Sequence, residues 1–190
     1  MGASAGRRHR PAVPEFEHHL ETRLWEIRRD VEAGVYHWGL YRRFLIQDPK
    51  RREIRAAPFR DRVLLHAIFN VLNPLFARGF IADTFACMRG RGTHRAVGRF
   101  RAFVRARHGL GHVVQCDVKG YFASVDHGVL LGLLARRVGD ARLLALLASL
   151  IEHGGEQPGR GMPIGNLASW HLTRLRDTCH RSGGGIVQIE

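Results

Sequence analysis

The sequence predicts an α+β fold, rich in helix, with one hairpin and an isolated strand. Three observations predict it. Apolar residues recur at steps of three and four over several long stretches. Two extended runs flank a short polar turn at Asp48-Pro49-Lys50-Arg51. A brief β-branched run stands between glycines, with no β-α-β rhythm and no internal repeat around it.

The elements follow in order. Met1 to Pro14 is built from Gly, Ser, Arg and Pro and reads as a disordered basic tail. Phe16, Leu20, Leu24, Ile27 and Val31 form one face of a helix that ends near Gly34. His18 and His19 would point around different sides of that helix. Tyr41 to Gln47 and Glu53 to Ala57 read as the strands of the hairpin. Arg62 to Phe76 is apolar on most sides, so it is expected to be a buried helix that Pro74 bends or ends.

Gly90, Gly92 and Thr93 form a loop that opens a helix from Thr93 to Arg107. Val97, Phe100 and Val104 are its apolar face, and Arg95, Arg99, Arg101 and Arg105 cover the rest. That basic surface is either a solvated face or a track for phosphates. His112 to Val118 reads as a strand ending at Asp117. Two leucine-rich helices follow, His127 to Val138 and Ala141 to His153. A Gly/Pro stretch from Gly154 to Gly165 then leads to a last helix from Asn166.

Composition narrows the function. The 190 residues hold 30 Lys and Arg against 17 Asp and Glu, a formal charge of +13. Lys50 and Lys119 are the only lysines. The planar fork of Arg grips phosphate at two points, which favours nucleic acid as partner. A GC-rich genome that encodes Arg wherever Lys would serve predicts the same composition. Cys87, Cys116 and Cys179 are odd in number and widely spaced, which argues against a disulfide framework or a structural zinc site. The 12 histidines are scattered and read as surface residues. Neither an apolar leader nor a run of spanning length is present, so a cytoplasmic protein without a membrane segment is expected.

The segment from Val113 to His127 carries the most information. An acidic residue, Asp117, ends an apolar strand, and Phe122 stands five positions later. A carboxylate at a strand end can hold Mg²⁺ at the rim of a sheet. It can equally cap the next turn.

That stretch, Asp117-Val118-Lys119-Gly120-Tyr121-Phe122-Ala123-Ser124-Val125-Asp126-His127, resembles motif A of bacterial reverse transcriptases. Three further segments resemble the same family, in order. Lys50 to Val63 is similar to the fingers motif K-x-R-x-I…P-x-x-D-R-V. Phe80 to Val97 is similar to the motif F-x-x-x-S-Y-A-x-R-x-G-x-G-x-H-x-A that follows. Gly161-Met162-Pro163-Ile164-Gly165-Asn166-Leu167-Ala168-Ser169 resembles motif B. Any one motif is weak, and four in order are strong. Ile164-Gly165-Asn166-Leu167 resembles the diversity-generating retroelement type, although Trp170 stands where that type has Gln. A group II intron-like enzyme is the neighbouring possibility.

The resemblance implies fingers over residues 15–110, part of a palm over 111–172 and an aberrant or frayed tail over 173–190. It implies an RNA-directed DNA polymerase that uses dNTPs, an RNA template, a DNA primer and Mg²⁺, and for one subtype a small basic accessory protein. Asp117 would be the catalytic metal ligand, with the Val118 carbonyl beside it. Phe122 would pack under the incoming sugar. Lys50 and Arg52 would grip the triphosphate. Gly165 would let backbone approach the nascent pair. Arg89, Arg91, Arg95 and Arg99 would follow template phosphates.

Two Mg²⁺ ions about 4 Å apart need several carboxylates. The family adds an adjacent pair in a later Y-x-D-D motif, yet no two acidic residues are adjacent in this sequence. Asp126 is expected to cap a turn or helix. The chain is therefore expected to stop before Y-x-D-D and to be inactive as it stands, with a non-catalytic RNA- or DNA-binding remnant as the alternative.

Overall fold

The structure is a computed structural model, and it describes residues 12–47, 51–77, 82–85, 90–109, 111–115, 119–155 and 157–162. Its contacts divide the chain into two units. The first comprises Met1–Leu75 and Gly120–Asp177, the second Phe76–Lys119 and Thr178–Glu190. Among the described residues the fold is helix-rich α+β with one two-stranded antiparallel sheet. No described helix is long and apolar enough to cross a membrane.

In the first unit, α1 (Ala12–His18) begins inside the stretch expected to be tail. Pro14 sits in the opening turn, where a missing N–H costs nothing. Val13 and Phe16 are buried, and the Phe16 ring meets Phe59 edge to face at 5.1 Å. The one helix expected from Phe16 to Gly34 is two. His19 leaves helical geometry (φ −113°, ψ 34°) before α2 (Leu20–Glu32). The break brings the His18 and His19 rings together edge to face at 4.6 Å, where an unbroken helix would have separated them. It also rotates the expected apolar face: Phe16 and Ile27 are buried, while Leu20 and Leu24 are each 43% exposed. Gly34 closes α2 in the left-handed region (φ 70°), and Val35 N–H donates to the Asp30 carbonyl at 2.9 Å.

β1 (Arg42–Gln47) and β2 (Arg51–Ala56) form the predicted hairpin, running from Arg42 opposite Ala56 to Gln47 opposite Arg51. Arg43 and Arg55 face one another across it. Glu53 stands between them, 3.7 Å and 3.5 Å from their Nε atoms, and relieves the like-charge pair.

α3 (Phe59–Ala77) was expected to be buried because it is apolar on most sides, and it is buried on only part of its surface. Beyond Phe59 at its start, its buried residues, Asp61, Leu64, Leu65, Ile68, Leu72 and Phe76, form one stripe, and Val71 and Leu75 are exposed. Burial follows the helical period rather than mean apolarity. Pro74 does not end the helix, which continues to Ala77.

α5 (His127–Ala135) and α6 (Ala141–Gly154) pack against one another. Leu130, Leu134, Leu147, Leu150 and Ile151 supply buried leucine and isoleucine, as the sequence suggests. Both helices start on a carboxylate. Asp126 accepts from Val129 N–H at 3.0 Å, and Asp140 from Arg142 N–H and Leu143 N–H at 2.8 Å and 3.1 Å. The Asp126 cap is the expected one.

The second unit contains α4 (Thr93–Ala106). Its expected apolar face is not buried: Val97, Phe100 and Val104 are exposed and Ala96 is the buried position. The strand expected from His112 is absent in its described part. His112 to Gln115 are without regular structure, and Val113 and Val114 are 72% and 80% exposed. A strand needs a partner to satisfy its backbone, and no described strand lies beside this run. The last helix, expected from Asn166, lies outside the described residues.

Candidate nucleotide and nucleic-acid site

Of the predicted site residues, Asp117, Val118, Lys50, Gly165 and Arg89 lie outside the described residues, as does the side chain of Arg52. The backbone of Arg52 stands opposite Ile46 in the hairpin. Phe122 is described in the first unit, and Arg91, Arg95 and Arg99 in the second.

The first site surrounds Phe122. Gly120 takes a positive φ of 63°, which turns the chain into a single 3-10 turn, Phe122–Ser124. Ser124 N–H donates to the Gly120 carbonyl at 3.0 Å, and its hydroxyl to the Tyr121 carbonyl at 2.9 Å. The Tyr121 and Phe122 rings meet edge to face at 5.5 Å. After α6 the chain reverses through Gln157-Pro158-Gly159-Arg160. Arg160 N–H donates to the Gln157 carbonyl at 3.0 Å, and Gly159 has φ 72°. Proline followed by a positive-φ glycine is the signature of a type II turn.

That turn sends the chain back along the segment before α5. His127 N–H donates to the Gly159 carbonyl (3.0 Å), Gly161 N–H to the Val125 carbonyl (2.9 Å) and Met162 N–H to the Phe122 carbonyl (2.8 Å). The buried His127 ring adds Nε2 to the Gly161 carbonyl at 2.8 Å, which requires the tautomer protonated at Nε2. Met162 and Val125 are buried beneath this ladder. Gly155 is pressed into it: a Cβ there would stand 3.0 Å from His127 Cε1 and 3.2 Å from the carbonyls of Gln157 and Arg160. The tail of the motif A-like segment and the head of the motif B-like segment are thus hydrogen-bonded neighbours. Separate motifs in the sequence do not reveal this ladder. The Pro158-Gly159 pair was the available signal, since it marks a tight turn rather than a loose linker.

The second site is a cavity of about 430 Å³ lined by Ala82, Asp83, Phe85, Arg91, Arg95, Gly98 and Arg99. Its arginines hold the loop that precedes α4. Arg91 Nη1 donates to the carbonyls of Ala82 (2.8 Å) and Thr84 (3.1 Å), and Arg95 Nη1 to the Gly90 carbonyl (2.7 Å). Arg99 grips Asp83 through Nε to Oδ1 (2.7 Å) and Nη2 to Oδ2 (3.3 Å). The hydrogen bond to Asp83, and then its charge, hold the Arg99 guanidinium above its ordinary pKa. Its guanidinium also lies over the Phe103 ring at 4.4 Å. These side chains are neither simply solvated nor wholly available to phosphate. They organise their own loop, and each keeps further N–H donors for a ligand.

Among the described residues, no three His, Cys, Asp or Glu side chains gather as metal ligands. Asp126 spends an oxygen on its cap, which holds its carboxyl below the usual range chiefly through the Val129 N–H. The described residues therefore do not by themselves make a Mg²⁺ site.

No family model matches the chain. It is 26% identical over 170 residues to Protein YkfC of Escherichia coli K12, covering 82% of this chain and 44% of that protein. It is 23% identical over 137 residues to the group II intron-encoded protein LtrA of Lactococcus lactis, covering 70% of this chain and 22% of LtrA. It is 24% identical over 144 residues to the nuclear intron maturase 2 of Arabidopsis thaliana, covering 67% of this chain and 19% of the maturase. The chain thus spans less than half the length of each of these relatives. These similarities support a relationship to the group II intron maturases, of the reverse-transcriptase-like kind.

Proposed function

We propose that this chain is the fingers and front palm of a reverse transcriptase of the intron-encoded kind, working on RNA in the cytoplasm. The observation that carries the reading is the ladder joining Phe122 and Val125 to Gly161 and Met162. Two segments that resemble dNTP-facing motifs need to lie side by side, and the ladder fits that need. The net charge of +13 and the arginine-lined cavity support a polyanionic partner. Similarity to an intron-encoded protein and an intron maturase favours the intron type. The Ile164-Gly165-Asn166-Leu167 string favours the diversity-generating type, and adjacent intron boundaries or a repeat pair in the DNA would decide.

In this reading Asp117 contributes one carboxylate, with the Val118 carbonyl, to a Mg²⁺ site, and Phe122 packs under the dNTP sugar. Lys50 and Arg52 face the triphosphate, and Gly165 faces the nascent pair. The 190 residues contain no adjacent acidic pair to complete such a site. The chain alone is therefore expected to bind RNA primer–template without extending it. Retention on labelled RNA, titrated with salt, and primer extension with dNTPs and Mg²⁺ test both halves. Expected are binding that weakens steeply with salt and no cDNA. Absence of retention at low salt removes the nucleic-acid reading, and cDNA from this chain overturns the inactivity.

A further inference from the structure

A second polar cluster in the first unit stands at the feet of the β1–β2 hairpin. Asp61, in the first turn of α3, is buried at 2% exposure. Its Oδ1 accepts from the Tyr36 hydroxyl at 2.7 Å and its Oδ2 from Gly39 N–H at 2.8 Å. Burial first, then the bond to Asp61, raises the Tyr36 hydroxyl far above its ordinary pKa, so it remains a donor. Arg60 closes the same corner. Its guanidinium stands 4.4 Å over the Tyr36 ring and binds Asp30 Oδ2 at 2.7 Å.

The strap between α2 and β1 is also held from its other side. Trp38 Nε1–H donates to Ser149 Oγ at 3.0 Å, His153 Nε2 meets the Gly39 carbonyl at 3.1 Å, and the Tyr41 ring stacks on His153 at 5.2 Å. Ser149 and His153 are one turn apart on α6. Gly39 is gripped at both its N–H and its carbonyl, and a Cβ there would strike the Pro58 ring at 2.8 Å. One foot of the hairpin is thus Gly39 to Tyr41, and the other is Pro58 leading into α3.

We infer that Asp61 is a positioning residue for the hairpin: by holding Tyr36 and Gly39 against the start of α3, it fixes where the arginines of β1 and β2 stand. Among the described residues β1 is exposed along its whole length and its extensive contacts are with β2, which becomes half-buried only at Ile54 to Ala56, where it nears Pro58 and α3. Its orientation is therefore set at its feet. Asp61 is the group that binds the foot before β1 while sitting in the helix that continues from β2. The consequence for RNA binding rests on the function proposed above. The consequence for the hairpin does not.

The test is amide hydrogen exchange on the full chain with Asp61→Asn. Tyr36→Phe is the gentler second variant, since it deletes one oxygen. Expected is exchange about tenfold faster at the paired amides of β1 and β2, with the amides of α5 and α6 unchanged. Unchanged hairpin amides in both variants overturn the inference, as does a uniform acceleration across all elements. A second arm uses RNA retention in a double-mutant cycle with Arg43→Ala and Arg55→Ala together. Expected is that Tyr36→Phe weakens retention in the wild-type background and has no further effect once the arginines are gone. Strictly additive effects overturn the inference. If the wild-type chain binds no RNA, the proposed function fails and the exchange result still decides the role of Asp61.

Discussion

Met162 donates its backbone N–H to the carbonyl of Phe122 at 2.8 Å, across the whole of the α5–α6 helical pair. The residue expected beneath a nucleotide sugar is thereby tied to the second residue of the motif B-like segment. The side-chain bond from His127 to the Gly161 carbonyl reinforces the same tie.

His127→Ala is expected to destabilise the chain by about 1–3 kcal/mol, because it strips a buried carbonyl of its donor and leaves a gap. Chemical denaturation monitored by circular dichroism measures this. His127→Gln should recover part of the loss if its amide reaches the Gly161 carbonyl. No difference between His127→Ala and wild type would show that the bond contributes nothing.

Asp126→Ala removes the cap of α5 and is expected to lower the melting temperature by a few degrees near neutral pH. The folded-state pKa of Asp126 is depressed, first by the Val129 N–H. The stabilisation is therefore fully present above the unfolded pKa of about 4 and is lost as pH falls through the lower folded value. Melting curves of the two proteins should converge below that window. A constant gap down to strongly acid pH would contradict the cap.

Gly98→Ala is expected to stabilise α4 by about 1 kcal/mol, since a Cβ there meets no atom within 4 Å. Thermal melting reads the gain. Gly155→Ala should do the opposite, by about 1–3 kcal/mol, because its Cβ enters the contacts with His127 and two carbonyls. Equal effects of the two substitutions would argue against the ladder as drawn.

Asp83→Asn releases Arg99 from its bidentate partner. If the cavity faces nucleic acid, RNA binding tightens and the log–log salt slope steepens by about one. Fluorescence anisotropy across a salt series measures both. An unchanged slope would leave Arg99 a purely internal clasp.

Local chemistry was the legible part of this fold. The hairpin, the stop at Gly34, the cap at Asp126 and the leucine cores of α5 and α6 follow from residue type and period. What depended on neighbours was not legible. Leu20, Leu24, Val97 and Phe100 have the spacing of a buried face, but burial also requires something on the other side. His112 to Gln115 have strand composition and no paired strand among the described residues. In the candidate sites, residue types suggested chemistry without revealing prior commitments. Arg91, Arg95 and Arg99 are basic by sequence and are also engaged by carbonyls and Asp83 in space. Asp61 belonged to a recognisable string, but its partners Tyr36 and Gly39 could not be read from it.

The ladder at residues 122–127 and 157–162 encloses α5 and α6 between its two sides. That makes a short closed circuit of chain, whose ends meet as soon as two helices turn back on one another. Once α5 and α6 have paired, closing this circuit costs little further loop entropy. The corner that brings Phe122 to Met162 is therefore able to assemble during synthesis, before distant segments are needed, and can serve as the nucleus on which later structure condenses.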